Sequence, residues 1–189
     1  MNRVTRFVAL TVVAVAFLGC ESRTDKVDGG GVLLSVSDFD GLPISVSASS
    51  ACSSDNPGGP CVVQIDQITL QNVVKDPFGA TSDLMNVEIR SYEVTFARGD
   101  TGTRRPPTLV ESIFGVVPVG GTTQYDNSPF MRLDQFNNVP LRDLLDFGYD
   151  TETGSAVVRL DVSIRFYGRT LSGKPVDSAP AYFSIDVVP

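Results

Sequence analysis

The chain has 189 residues, a formal net charge of −7, and neither histidine nor tryptophan. An acidic chain is a poor candidate for binding nucleic acid, which selects basic surfaces. Without histidine, the sequence cannot build Ser-His-Asp or Cys-His catalytic groups, or zinc sites of the His-Glu-x-x-His type.

The first twenty residues have the pattern of an export signal. Two arginines precede an apolar run at residues 7–19, which is shorter than the roughly 20 residues of a membrane-spanning helix. A basic start, a short apolar stretch and small residues at a cleavage site typify a secretory signal peptide. The motif Phe17-Leu18-Gly19-Cys20 resembles the lipobox of bacterial lipoproteins. This resemblance implies that residues 1–19 are removed and that Cys20 carries lipid. The alternative is an ordinary signal that happens to contain a cysteine.

The resemblance also implies a location. In enterobacterial lipoproteins an aspartate after the lipidated cysteine favours the inner membrane, so Glu21 leaves export to the outer membrane open. We therefore expect a lipid-anchored protein of the bacterial cell envelope, at the outer membrane, on its periplasmic or surface face. Cleavage would remove two arginines and no acid, which gives a mature charge of −9. Such a chain is repelled by anionic headgroups, so we expect membrane contact through the lipid on Cys20 rather than through the protein surface.

Residues 20–31 are polar and end in three glycines, a composition that predicts a flexible tether. The folded domain is predicted to span residues 32–189.

Cys52 and Cys61 flank a run of turn-forming residues. Once Cys20 is lipidated, these two remain as an even pair in an exported chain, which predicts a disulfide. The alternative is a metal-binding pair.

Most of the domain alternates apolar and polar residues with the period of a β-strand. Residues 32–36 and 42–48 are short strands of this kind. The strands predicted at 61–74 and 87–98 each switch the parity of their apolar positions, which requires a bulge or a bend. Residues 109–119 are interrupted by glycine and proline, so they are predicted to form an edge strand or two short pieces.

The second half contains one predicted helix. A short strand is expected around 122–132 within an irregular stretch. Pro140 then precedes leucines spaced three and four residues apart, which predicts a short helix near 140–147 that ends at Gly148. Residues 158–167 and 181–187 alternate strictly and form the predicted last hairpin.

Together these elements predict an all-β fold in one domain. Seven to nine short strands with one helix favour an antiparallel β-sandwich. The pattern resembles the immunoglobulin-like and fibronectin-like domains of bacterial surface proteins. The likeness is architectural, because the chain lacks the Cys-Trp-Cys core of antibody domains.

Paired acids are the first candidates for chemistry. Glycoside hydrolysis needs two carboxyl groups about 5–9 Å apart, and the candidate pairs are Asp38/Asp40, Asp143/Asp146 and Asp150/Glu152. Each pair lies in a turn or at a helix end, where aspartate is favoured for its hydrogen bonds to backbone. The sequence therefore assigns no catalytic residue. A serine activated by Lys75 or Lys174 is a further alternative, but nothing in the sequence places a serine beside either lysine.

Calcium would be bound by loop oxygens, and the weak candidates are Asp38 and Asp40, followed by Asp76 with Asp83. Neither cluster has the spacing of an EF-hand loop, so solvated turns are the better interpretation. No cofactor and no other metal site is expected.

Aromatic residues on the later loops form a candidate binding surface, namely Tyr125, Phe130 and Tyr149. Loop aromatics often bind partners, but they also close the ends of sandwiches as part of the core, and this alternative stays open.

The sequence favours a lipid-anchored, non-catalytic binding or structural module, with an envelope protein or glycan as its partner. Two alternatives remain: an envelope enzyme that acts on glycan through carboxylates, and a component of a larger envelope assembly that pairs through a strand edge.

Overall fold

The computed structural model describes residues 31–189. The predicted signal peptide at 1–19, Cys20 and the predicted tether up to residue 30 lie outside the described residues. Among the described residues, none of the helices has the length and apolar character needed to cross a membrane.

Within residues 31–189, nine strands form two sheets. Their bounds are Val32–Asp40 (β1), Ser45–Ser47 (β2), Val63–Val74 (β3), Val87–Arg98 (β4), Leu109–Val117 (β5), Thr122–Met131 (β6), Val158–Thr170 (β7), Pro175–Asp177 (β8) and Ala181–Val188 (β9). The smaller sheet has the order β1-β3-β6, and the larger has the order β2-β9-β7-β4-β5, with β8 paired to β7. The pairs are antiparallel except for β2 with β9. The predicted all-β sandwich is confirmed, whereas its immunoglobulin-like character stays a prediction.

Three short α-helices accompany the strands in the described part of the chain, together with a 3-10 helix at Asp83–Met85. The α-helices are Ala48–Ala51 (α1), Leu133–Phe136 (α2) and Leu141–Phe147 (α3). The helix α3 is the predicted one, and it ends at Gly148 in the left-handed conformation, with φ of 78°. The prediction of a single helix missed α1 and α2. Each has four residues, about one turn, which is too short for a helical period to appear in the sequence.

The core lies between the sheets, and β7 illustrates how alternation fills it. Its residues 158, 160, 162, 164 and 166 are fully buried, while the residues between them face outward or are partly covered. Burying an aliphatic or aromatic side chain of this size contributes about 1.5–3 kcal/mol. The strict alternation in the sequence therefore identifies the buried face of β7, which is the face that stabilises the fold.

The predicted parity switches have different structural origins. In β4 the register with both neighbouring strands shifts between Ile89 and Ser91, so the predicted bulge is confirmed. Beside it, a Cβ atom on Gly168 would collide with the carbonyl oxygen of Glu88, which explains the glycine in β7. In β3, Ile65 and Ile68 are both buried. The register with β6 is the same at both residues, although Asp66 between them is not paired, and it shifts only between Val63 and Gln64.

The connections fall at two opposite ends of the sandwich. We define the tether end as residue 31 with the segments 75–86, 118–121 and 171–174, where backbone hydrogen bonds join Lys75 to Gly31 and Ser172 to Leu84. We define the far end as the segments 41–62, 99–108 and 132–157, which hold all three α-helices. The chain therefore enters the domain at one end and places its longest connections at the other.

Two buried tyrosines give a matched test of the core. The Tyr92 hydroxyl donates a hydrogen bond of 2.6 Å to the carbonyl oxygen of Pro129. The Tyr125 hydroxyl has no partner among the described residues, and burial raises the pKa of Tyr125 to about 12. We expect Tyr92→Phe to lower the free energy of unfolding by about 0.5–1.5 kcal/mol, the net value of one hydrogen bond. Tyr125→Phe should leave it unchanged or raise it slightly. Denaturant titration measures both values, and equal losses would contradict this account.

Candidate functional site

A buried ionic cluster organises the far end. Arg98, at the end of β4, has a side chain that is only 3% exposed, and it donates hydrogen bonds to Asp100 at 2.7 Å and to Asp150 at 2.9 Å. Asp150 is fully buried. The carboxylate of Glu152 lies 3.9 Å from the same guanidinium. One arginine thus holds acids from two separate loops, those that follow β4 and α3.

Backbone hydrogen bonds to these acids join the loops further. Asp100 accepts hydrogen bonds from the N–H groups of Gly102 and Arg159, at 2.9 and 3.1 Å. Glu152 accepts from the N–H groups of Thr103 and Arg104, each at 3.0 Å. The segment that follows β4 is therefore attached both to the start of β7 and to the loop that precedes it.

The other predicted acid pair, Asp143/Asp146, lies on α3, where the two side chains differ in burial. Asp143 is buried at the start of α3 and accepts a hydrogen bond of 3.2 Å from the N–H of Thr151. Asp146 is on the exposed side, where Arg142 donates to it at 2.6 Å across one helical turn. Each carboxylate therefore has its own hydrogen-bond partner.

The electrostatics of the cluster keep its acids ionised. Burial acts to raise the pKa of Asp150, but hydrogen bonds from Arg98, Thr153 and the backbone outweigh it, so this pKa lies below its usual value. The same balance, with burial opposed by Arg98 and backbone N–H groups, lowers the pKa of Asp100. The hydrogen bond from Thr103 lowers the pKa of Glu152. A glycosidase needs one carboxyl with a raised pKa as its general acid, and Asp150 and Glu152 have the opposite shift.

Two exposed aromatic side chains flank the cluster. Phe147 is 60% exposed at the end of α3, and Tyr149 is 46% exposed in the following loop. Their ring centroids lie 6.3 Å apart. Tyr149 directly precedes Asp150, whose side chain is fixed by Arg98. The aromatic pair is thus carried on backbone that the ionic cluster holds in place.

The other two members of the predicted aromatic surface are in the core. Tyr125 and Phe130 are buried in β6, and their rings pack against Phe166 and Phe183. Tyr125 pairs with Ile68 of β3, so its side chain shares the inward face of that sheet. They are therefore removed from the candidate surface, of which Tyr149 remains, and Phe147 takes their place. The sequence offered one indication that Phe147 is exposed, namely its position at the end of the predicted helix, directly before Gly148.

The weak calcium candidates lie elsewhere and are exposed. Asp38 and Asp40 are on the outward side of β1, and Asp40 accepts a hydrogen bond of 2.8 Å from the N–H of Gly41, as expected for a turn. Asp76 caps its own turn through the N–H of Phe78, at 3.0 Å. Among residues 31–189, no three acids or cysteines converge in a group that could hold a metal ion.

Cys52 and Cys61 form a disulfide at the far end. The loop between them is organised by Asn56, whose side-chain NH2 lies 2.9 Å from the carbonyl oxygen of Ala51 and 2.7 Å from that of Gly59. Closing a loop of this length stabilises the fold by about 2–3 kcal/mol in the chain-entropy model. The predicted pairing of these two cysteines is thus present in the structure, and it fixes a loop beside α1.

Comparison of the chain with known protein families, with characterised proteins and with solved structures gives no match.

Replacing Arg98 tests whether the cluster depends on one buried charge. Arg98→Met leaves Asp150 buried without its partner, so we expect the free energy of unfolding at pH 7 to fall by about 3–5 kcal/mol. In the native protein the lowered pKa of Asp150 gives stability that is present above pH 3.8, the ordinary value, and is lost as pH falls further. In the variant, acid protonates the unpaired carboxyl and relieves its penalty. Because a buried carboxyl without its partner is protonated at a higher pH than an ordinary aspartate, the difference between the two proteins should begin to shrink above pH 4 and should continue to shrink below it.

The matched control is Arg90→Met. Arg90 is on the same strand, but its side chain is 50% exposed and lies 3.5 Å from Glu88. Exposed ion pairs of this kind contribute little to the free energy of unfolding. This variant should therefore unfold almost as the native protein does, both at pH 7 and in acid. Thermal unfolding as a function of pH provides the measurement. A penalty for Arg98→Met that is independent of pH would exclude Asp150 as its source.

Proposed function

We propose that this chain is a lipid-anchored protein of the bacterial cell envelope, at the outer membrane, that binds a partner protein through its far end and has no catalytic role. The observation that carries the proposal is the exposed pair Phe147 and Tyr149, at the end of the sandwich opposite to the entry of the N-terminal segment. The lipobox at Phe17-Leu18-Gly19-Cys20 supplies the anchor.

The composition of the surface around the aromatic pair supports a protein as partner. Leu133 and Val139 are also exposed in the far-end segment 132–157, and the charged pair Arg142 and Asp146 is exposed on α3, which carries Phe147. An apolar and aromatic centre with a charged rim is the usual anatomy of a protein interface. Because the loop after α3 is held by Arg98, binding would order few additional residues and would lose little entropy. An immunoglobulin-like character belongs to the same proposal, because domains of that kind present binding loops at one end.

The acids of the far end favour binding over hydrolysis. Asp100 and Asp150 are paired with Arg98, and the pKa shifts of both leave no proton to donate near neutral pH. Glycan hydrolysis would require one of these acids to lose its partner. The glycan-acting enzyme is therefore the weaker alternative.

Assembly through a strand edge is a second candidate function. The edge strand β5 exposes an apolar row on its outer face, formed by Val110, Phe114 and Val116. Phe114 is 76% exposed. A long edge strand with apolar side chains is a surface to which another strand can add. This observation supports a role in a larger envelope assembly.

Photo-crosslinking in intact cells distinguishes the two binding candidates. A photoreactive amino acid in place of Tyr149 should crosslink to a defined envelope protein, and Phe147→Ser in the same chain should abolish the adduct. Phe114→Ser is the matched control, because it removes a ring from β5 that is even more exposed than that of Phe147, 76% against 60%, and should leave the adduct intact. Crosslinks from position 114 instead would favour the edge-strand assembly. Adducts to glycan alone, or none from position 149, would refute the proposed protein interface.

The anchor has its own test. Cells that express the protein are labelled with a palmitate analogue, and the native chain is compared with Cys20→Ala. We expect label on the native protein only, because Cys20 is the residue that the lipobox designates. Equal labelling of the two would contradict a lipid at this position.

A further inference from the structure

The tether end presents three exposed apolar side chains, namely Phe78, Leu84 and Leu171. Phe78 is 97% exposed, and the other two are about half exposed. They lie on connections at the same end of the sandwich as Gly31, where the N-terminal segment enters the fold. The N–H of Lys75 donates to the carbonyl of Gly31 at 3.0 Å. The N–H of Ser172 likewise donates to the carbonyl of Leu84 at 3.0 Å. Two connections, the segments 75–86 and 171–174, therefore place exposed apolar groups at the tether end.

The local structure displays these side chains outward. Asp76 closes a turn by accepting from the N–H of Phe78 at 3.0 Å, while the N–H of Gly79 donates to the Asp76 carbonyl. Phe78 is thus at the tip of a defined turn. Leu171 begins the turn after β7, where its N–H donates to Asn86 at 2.9 Å and the N–H of Gly173 donates to Thr170 at 2.8 Å. The hydrogen bonds that hold the two turns come from the backbone and from Asp76, and the side chains of Phe78 and Leu171 take no part in them. The structure of the turns therefore does not explain why apolar residues stand at these exposed positions.

The charge of this end differs from that of the whole chain. Its residues carry two lysines, Lys75 and Lys174, and two aspartates, Asp76 and Asp83. The tether end is therefore neutral in a chain with a net charge of −7. Repulsion from anionic headgroups, which opposes membrane contact elsewhere on the protein, is weak here.

The length of chain before the domain determines what can cover this surface. Ten residues lie between Cys20 and Gly31, and a fully extended segment joining these two positions spans at most about 40 Å. If Cys20 is lipidated, the tether end is the part of the domain closest to the membrane along the chain. Exposed leucine and phenylalanine side chains enter the interfacial region of a bilayer readily.

We infer that the tether end is a membrane-contacting surface and that Phe78, Leu84 and Leu171 insert into the interface of the bilayer that holds the lipid on Cys20. This inference rests on the proposed lipid anchor. It adds a protein contact to an attachment that the sequence assigns to lipid alone. It also fixes the orientation, because the far end, with Phe147 and Tyr149, is then directed away from the membrane.

The test uses the full lipidated protein in vesicles of phosphatidylethanolamine and phosphatidylglycerol. Cysteine is introduced at Phe78 and labelled with an environment-sensitive fluorophore, since Cys52 and Cys61 are already paired. Lipids with a nitroxide on the acyl chain then quench any label that reaches the interface. Phe147→Cys is the matched control, because it labels an exposed phenylalanine at the far end. The strand β7 alone has 13 residues, roughly 40 Å in length, so the control label lies beyond the quencher.

We expect strong quenching at position 78 and at a second label in Leu171→Cys, with none at position 147. The mass of the protein is measured on the same samples. If Cys20 carries diacylglycerol and the labels at 78 and 171 are not quenched, the membrane contact is wrong while the anchor stands. If Cys20 carries no lipid, both proposals are wrong. A fluorescence blue shift at 78 without quenching would mean that a protein covers this end, which also overturns the inference.

Discussion

The far end of this sandwich depends on a buried pair of opposite charges, Arg98 and Asp150. Moving such ions out of water costs several kcal/mol each, and the cost is offset only when the geometry satisfies both groups. Arg98 meets that condition with two hydrogen bonds to Asp100, one to Asp150 and one to the carbonyl of Arg104. Because the N–H donors of a guanidinium are fixed in one plane, the acceptor oxygens must be positioned to match that plane. The loops at 99–108 and 148–157 are therefore positioned by the end of a single strand.

The same pairing influences what the far end can do. Ionised, hydrogen-bonded carboxylates hold the backbone in place, but they are poor proton donors. Because Arg98 already neutralises much of their negative charge, they attract a further cation only weakly. What the cluster presents to solvent is the segment that it holds, with Tyr149 one residue before Asp150 and Phe147 at the end of α3. A rigid aromatic pair loses little conformational entropy when a partner covers it. The polar interior and the apolar exterior of this end are the features on which the proposed binding role rests.

The features that were predictable from the sequence are those with a local cause. The alternation along β7 needs only neighbours two residues apart, the bulge at Ile89 and Ser91 appears as a change of parity, and the disulfide follows from counting cysteines. The cluster was not predictable in the same way, because Arg98 and Asp150 are 52 residues apart and meet only when β4 and β7 pair. Tyr125 was ambiguous for a related reason. Its burial depends on its partner Ile68 in β3, and not on the irregular residues around it.

The two ends of the domain differ in the physical forces that act on them near a membrane. The tether end is neutral and carries Phe78, Leu84 and Leu171, whereas the excess of acids is distributed over the rest of the chain. Beside an anionic bilayer, apolar insertion attracts the first region and electrostatic repulsion acts on the second. A connecting segment of ten residues between Cys20 and Gly31 would by itself allow many orientations. The attraction and the repulsion both turn the tether end toward the membrane. Under the proposed anchor, the surface of the folded domain therefore determines which residues face a partner more than the connecting segment does.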